Sequence, residues 1–287
     1  MVLRVLGCCL LFAVSGASAQ DGRLLWLIND FPPFTEVGQQ IPGQGIADAL
    51  LLYLQPRLPQ YQHDIEIASF ARTLALMERG EPVCHPTTLK IPGREHTMVF
   101  SRPALFLTSQ QVLIRADRKE RVAPYIDSAG RIDVHRLLSD TQLVTAVSER
   151  RGYSPAISRA LKALGPQPHV LKAGVKFNAP FQQLAAGWID YLFAYSVELG
   201  LYRRQHSEAS SVAILKLDVA GDPPYMLGHI SCTRSAWGER VIQDIDEQLL
   251  LAGPKPPWIQ KTIEYTAHED LERYERDFIE QQPLSQP

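Results

Sequence analysis

An excess of positive charge is missing from this chain, and so is any long apolar run after its first 19 residues. With Arg4 of the leader set aside, 28 Lys and Arg stand against 31 Asp and Glu, a net charge of −3. That balance argues against nucleic acid as a partner, because no surplus of cations can replace phosphate counterions. Cysteine is scarce as well. Of four, Cys8 and Cys9 lie in the leader, which leaves Cys84 and Cys232. There are no internal repeats and no low-complexity segment. The chain contains no H-E-x-x-H, C-x-x-C or G-x-S-x-G sequence and no phosphate loop, so the common short signatures of metal, redox, acyl-transfer and nucleotide chemistry are missing.

What is present begins with an export signal over residues 1–19: Arg4, an apolar core from Leu6 to Val14, and Ala17-Ser18-Ala19 as the cleavage site. The core is too short to span a membrane. The remaining 268 residues suit one large or two small domains of a soluble exported protein. In an oxidising compartment two cysteines read as one disulfide, Cys84–Cys232, in preference to two separately buried thiols. Such a bridge makes the early and late parts of the chain neighbours.

Apolar strands and amphipathic helices alternate along the sequence. Strands are expected at Leu24–Ile28, Ile65–Ile67, Pro82–Thr87, Thr97–Phe100 and, as one long element, Leu105–Ile114. Helices are expected over Gly45–Leu54 and after Ser69, the latter closed by Gly80. Residues 115–130 are charged and aperiodic and read as a crossing. The alternation then restarts with strands at Leu143–Val147, His169–Leu171, Tyr191–Tyr195 and Ala213–Leu217, and with helices after Ser154-Pro155 and Asn178. "AGDPPY" (220–225) reads as a return linker, followed by a strand at Met226–Cys232 and a helix carrying Trp237, Val241, Ile245 and Leu249. Glu239, Asp244, Asp246 and Glu247 are expected on its solvated face. The tail after Tyr265 reads as polar and helical.

Two β/α units of this kind imply an α/β protein with two sheets flanked by helices. The expected organisation is lobe 1 over 20–114 plus 221–265, an inserted lobe 2 over 115–220, and a polar tail over 266–287. Two crossing strands join the lobes, and a ligand cleft lies between them.

In this order the segments resemble the extracellular solute-binding proteins of the polar amino-acid family. The residues that carry the resemblance are "FPPF" (31–34), "GQGIADALLLYL" (43–54), "SFARTLALMERG" (69–80), "GREHTMVFSRPALF" (93–106) and "AAGWIDYLFAY" (185–195), together with the return strand and helix over 226–252. The resemblance implies the two-lobed periplasmic-binding-protein fold, with two mixed sheets and capture of a small polar solute by lobe closure. It puts the carboxylate-binding arginine at Arg94, whose planar fork suits two parallel hydrogen bonds. Phe31 and Phe70 fall at aromatic walls, while Phe34 reads as core. A hydroxyl contact falls at Thr87 or Thr88, with Thr88 preferred. The Gly152-Tyr153-Ser154 turn falls where a helix start offers amides to an anion.

Two positions depart from the family pattern. The aspartate that would hold a ligand ammonium is Tyr195, and a phenol carries no formal charge at neutral pH. The acid of the first helix, Asp48, stands one residue early. An α-amino acid is therefore a poor fit, and a small carboxylate or other polar solute a better one. Glu198 is expected to face solvent. A zinc site from Cys84, His85, His229 and Cys232 is disfavoured, because adjacent strand residues point to opposite faces; His96 has no partner at metal-ligand spacing. The expectation is a binding protein without cofactor, monomeric, and served by a membrane permease. An acid-catalysed lyase like the cyclohexadienyl dehydratases is the rival, with Glu36 and Glu198 as the available acids. A sensory ligand-presenting protein is a third reading.

Overall fold

The computed structural model describes residues 22–37, 44–148, 151–172, 177–206 and 212–281. The leader expected over residues 1–19 lies outside them. Among the described residues the strands are β1 (Arg23–Ile28), β2 (Gln62–Ile67), β3 (Val83–Leu89), β4 (Met98–Thr108), β5 (Gln111–Arg115), β6 (Thr145–Val147), β7 (Val170–Lys172), β8 (Tyr191–Ala194), β9 (Ile214–Leu217) and β10 (Tyr225–Thr233). The helices are α1 (Ile46–Leu54), α2 (Phe70–Glu78), α3 (Lys119–Val122), α4 (Val134–Ser139), α5 (Pro155–Leu164), α6 (Ala179–Ala186), α7 (Ser196–Gln205), α8 (Ala236–Leu251), α9 (Pro257–Tyr265) and α10 (Leu271–Gln281). None is long and apolar enough to cross a membrane.

The strands form two five-stranded mixed sheets, ordered β2-β1-β3-β10-β4 and β7-β6-β8-β5-β9. In the first, β1 runs parallel to β2 and β3, while β10 runs antiparallel to β3 and β4. In the second, β6 is parallel to β7 and β8, and β5 is antiparallel to β8 and β9. The inner strands of both sheets are covered on both faces, which accounts for their near-continuous apolar runs, whereas the edge strand β2 is largely exposed. On β1, Leu24 and Trp26 enter one core while Leu25 and Leu27 pack into another with Met77, Val83 and Met98. On β5, Val112 and Ile114 go one way and Leu113 the other. This is the expected two-lobed α/β architecture.

The late return strand is confirmed directly. On β10, Cys232 lies opposite Cys84 of β3, and the two form a disulfide. The zinc reading therefore fails at its two thiols, and among the described residues no group of His, Cys, Asp or Glu could hold a metal ion.

The single strand expected over Leu105–Ile114 is two strands in different sheets. The chain crosses at Ser109-Gln110, and residue 115 already lies inside the second sheet. Beside this crossing runs the returning one: the Ser109 N–H donates to the Pro224 carbonyl oxygen at 3.1 Å. Both crossings are thus adjacent. Residues 116–125, expected to be part of the crossing, form α3 flanked by 3-10 turns and bury Val122 in the second lobe.

The tail is helical as expected, but one face of it is buried. α10 carries Tyr274 and Phe278 four residues apart, and both are buried against Phe106 of β4. Its other face holds the second lobe: Arg273 pairs with Asp218 at 2.9 Å, and the preceding turn sets Asp270 against Lys216 at 2.5 Å. The expected solvated face of α8 is half built in. Asp244 accepts a hydrogen bond from the Tyr61 hydroxyl at 2.6 Å and Asp246 one from the Arg102 N–H at 2.8 Å, leaving Glu239 and Glu247 exposed.

α7 is shared between the lobes. Val197 and Leu201 belong to the first lobe's core, Leu199 and Tyr202 to a core of the second. Gly200 lets it lie against the end of α9, since a Cβ there would overlap the Tyr265 carbonyl oxygen.

Candidate functional site

The first lobe's contribution starts at the end of β3. Gly93 takes a left-handed turn (φ 95°) that a side chain would strain, and a 3-10 turn over Arg94–His96 follows. Arg94 comes out of this turn half-buried. It donates one hydrogen bond, to the Leu89 carbonyl oxygen at 3.0 Å, and its guanidinium carbon lies 5.0 Å from the centre of the Phe70 ring. Among the described residues it has no carboxylate partner, and burial lowers its pKa from the usual arginine value. A partly desolvated cation without a counter-ion is an anion site in waiting.

Phe70 in turn meets His85 edge-on at 5.1 Å. The Thr87 N–H donates to His85 Nδ1 at 3.2 Å, so Nε2 carries the proton and donates to Asn29 Oδ1 at 3.1 Å. Burial, aided by the Arg94 charge, lowers the pKa of His85 to about 4, so the ring is neutral. Thr88 meets this group from inside the sheet, its hydroxyl 3.4 Å from His85 Nδ1. It is buried in the sheet, with its hydroxyl 2.8 Å from Ser231 Oγ.

The second lobe contributes the turn before α5. Gly152 lies across the seam from Leu89, whose Cδ1 would be 3.9 Å from a Cβ at that position. Arg94 and the 152–154 turn therefore share Leu89 as a neighbour. Ser154 precedes α5, but its side chain makes no capping bond. Asp222 of the returning crossing does the capping: its carboxylate accepts from the Ala156 N–H at 2.7 Å and from the Ser154 hydroxyl. The Ser154 N–H donates to Gln110 Oε1 at 2.7 Å, and the Gln110 amide reaches the Gly152 carbonyl at 3.3 Å. The Ser154 and Ala156 amides are thus already engaged by the two crossings. The Tyr153 hydroxyl accepts from the Ser148 N–H at 2.8 Å.

Sequence reading missed the most buried charge pair at this seam. Arg151 donates from both terminal nitrogens to Glu198, each at 2.6 Å, with side-chain exposures of 13% and 1%. Its guanidinium carbon lies 5.5 Å from the Phe31 ring, 5.4 Å from Tyr153 and 5.6 Å from Tyr195. Burial pulls the Arg151 pKa down, but the Glu198 carboxylate overrides it and holds the group above the usual arginine value. Glu198 is not on a solvated face as expected. It also accepts from the Tyr195 N–H at 2.8 Å, starting α7. That contact was the available signal: an acid three residues after a helix's N-cap position folds back on the cap.

Phe31 stacks on Phe34 at 5.1 Å, and Phe34 meets Tyr195 edge-on at 5.9 Å, so the loop after β1 is packed onto the start of the shared helix α7. Phe34 is core, as expected. Burial raises the Tyr195 phenol well above its usual pKa, so it offers no anion to a ligand ammonium. Asp48 caps its own helix, accepting from the Gly45 N–H at 3.0 Å. Glu36 stands beside it, its pKa raised by burial and then by Asp48 and Asp30. One small cavity and one closed crevice lie nearby, the crevice bordered by Tyr195. The cavity, of about 10 Å³, is in the second lobe beside Phe181 and Tyr202, and the crevice adjoins Thr108 and Tyr274 near the crossings. Neither is lined by Arg94 or Arg151.

No protein-family model matches the chain, and no curated protein sequence matches it significantly. Solved structures do match in fold. The periplasmic VFT2 domain of BvgS from Bordetella pertussis gives a TM-score of 0.58 at 17% identity, over 89% of this chain and 94% of that one. The arginine-, lysine-, histidine-binding protein ArtJ from Geobacillus stearothermophilus gives 0.60 at 13% identity, over 86% and 97%. An ancestral arginine-binding protein bound to glutamine gives 0.59 at 13% identity, over 85% and 97%. The chain shares the two-lobed periplasmic-binding-protein fold with them.

Proposed function

We propose that this protein is an exported binding protein that holds a small anionic or polar solute between its lobes, and that a membrane permease receives the solute from it. One observation carries the reading: Arg94, half-buried at the seam, has no carboxylate partner among the described residues. A solute carboxylate supplies the missing charge through a two-pronged hydrogen bond. Phe70 forms the floor beneath the guanidinium, and the 152–154 turn with Tyr153 and Ser154 closes from the second lobe. Phe31 and Tyr195 shape the far side. Thr88 acts from inside the sheet, by positioning His85 and not by touching the solute. Small amino-acid ligands named for the structural neighbours support the solute class. Tyr195, in place of an acid, disfavours a ligand that needs its ammonium held. The leader sequence and the disulfide support a periplasmic location, and the chain acts as a monomer.

A binder is favoured over a lyase on this fold because neither candidate acid contacts Arg94 among the described residues: Glu198 has both oxygens bonded to Arg151, and Glu36 lies beside Asp48 and Tyr265. Thermal melts of the wild type against a panel of small mono- and dicarboxylates test the reading. A carboxylate present at one hundred times its Kd stabilises by about 2.7 kcal/mol. Arg94→Ala abolishes that gain while leaving the unliganded midpoint nearly unchanged. If no carboxylate shifts the wild type, or if Arg94→Ala unfolds without ligand, the reading fails.

A further inference from the structure

The group of side chains around Arg151 has the composition of a cation site, and the protein fills it with its own side chain. Three aromatic rings lie within 5.6 Å of the guanidinium carbon, and one carboxylate takes both terminal nitrogens. Aromatic faces and a bidentate acid are what a desolvated guanidinium requires. The components come from three separate segments. Tyr153 is next but one to Arg151 itself, and Tyr195 with Glu198 opens α7. Phe31 comes from the first lobe, in the loop after β1, and Tyr195, though it opens α7, packs in the same first-lobe core. A guanidinium satisfied by residues of one lobe alone would be an ordinary structural ion pair. Here it reaches across the seam to a ring on the other side.

We propose that Arg151 is a tethered occupant of a guanidinium cage, which closes the two lobes on each other without a free ligand and shuts the cleft to cationic solutes. This rests on the reading of the cleft as a solute site. It accounts for the Tyr195 substitution: the place where a ligand's cationic group would sit is already occupied, so no free acid is needed there. A free solute is then restricted to what Arg94 can hold, an anion without a cationic arm. Separating the lobes takes the Phe31 face off the guanidinium, which is the contact that favours closure.

The test uses Arg151→Ala in the full-length mature protein with ethylguanidinium as probe and ethylammonium as its control. Small-angle scattering should show a larger radius of gyration for the variant than for the wild type, and ethylguanidinium should reverse it. Calorimetry should show ethylguanidinium binding the variant at least about tenfold more tightly than the wild type, with ethylammonium much weaker. Unchanged scattering, or no preference for the guanidinium, overturns the proposal. Should Arg151→Ala fail to fold, Phe31→Ala decides the matter, because it leaves the Arg151–Glu198 pair intact. An enlarged radius supports the cage, and an unchanged one overturns it. The carboxylate melts on the wild type report separately. If they fail while the variant binds ethylguanidinium, the anion site is wrong and the cage stands.

Discussion

Tyr274 sets its ring against the edge of Phe106, 5.5 Å between centres, and its hydroxyl donates to the Phe106 carbonyl oxygen at 3.2 Å. One side chain of the last helix is thus fastened to both the side chain and the backbone of a first-lobe strand. The neighbouring Arg273 holds Asp218 of the second lobe, so α10 spans both bodies near the crossings.

Removing that ring leaves a void of aromatic size and takes one hydrogen bond from the Phe106 carbonyl oxygen. Tyr274→Ala is expected to cost about 3–5 kcal/mol, the range for deleting a buried aromatic. Denaturant unfolding measures it. A loss within about 0.5 kcal/mol, the usual scatter of surface substitutions, would mean that α10 is not docked in solution.

His85 makes stability depend on pH. Its pKa is about 4 in the folded chain, against an ordinary histidine value of 6.5. Above that ordinary value both states are neutral there and nothing is lost. As pH falls from 6.5 towards 4, the unfolded chain takes up a proton that the folded one refuses, so stability drops by on the order of 3 kcal/mol from this residue. Below 4 the folded ring protonates too, and the loss levels off. His85→Gln is expected to flatten this part of the stability curve, compared by urea midpoints between neutral and mildly acid pH. An unaltered slope would contradict the buried neutral ring.

The disulfide closes a loop of 148 residues in sequence separation. Restriction of so long a loop in the unfolded chain is worth about 5 kcal/mol by the chain-entropy account. Paired Cys84→Ser and Cys232→Ser substitutions should lower the melting point, and alkylation of the mature wild type without reductant should label neither thiol. Labelling of both would sink the bridge.

Gly200→Ala sets two effects against each other. Alanine favours an exposed helix over glycine by about 1 kcal/mol. Here the added carbon would overlap the Tyr265 carbonyl oxygen, which is backbone and cannot swing aside. Overpacking of this kind costs about 1–3 kcal/mol, so net destabilisation is expected. A rise in melting point would show that α7 and α9 are farther apart.

Much of the fold was legible in the sequence because two-residue and helical periods are local. Leu24, Trp26 and Leu27 announce β1, and Pro155 with Gly165 bracket α5. Cys84 and Cys232 gave the long-range pairing because only two cysteines remained to be paired. The change of sheet at Ser109-Gln110 left no such mark: the residues on both sides are strand formers, and two polar residues inside a strand are ordinary. The helix of the tail was legible but its buried face was not, because Tyr274 and Phe278 are two of its eleven residues and the partner of Tyr274 lies 168 positions away. Arg151 and Glu198 were illegible as a pair for a related reason. They are 47 positions apart, and a charged residue read singly belongs on the surface. Arg94 could be located only through a motif, since nothing in its local chemistry marks it as unpaired.

The order of the first sheet also bears on how the chain is made. β10 lies between β3 and β4, yet it is synthesised well over a hundred residues after β3, at positions 225–233. Until it emerges from the ribosome, the early strands have two raw edges and a gap where their middle should be. Vectorial synthesis therefore cannot finish the amino-terminal half first, and a nascent chain stopped before residue 225 displays open strand edges of the kind that chaperones cover and aggregates recruit.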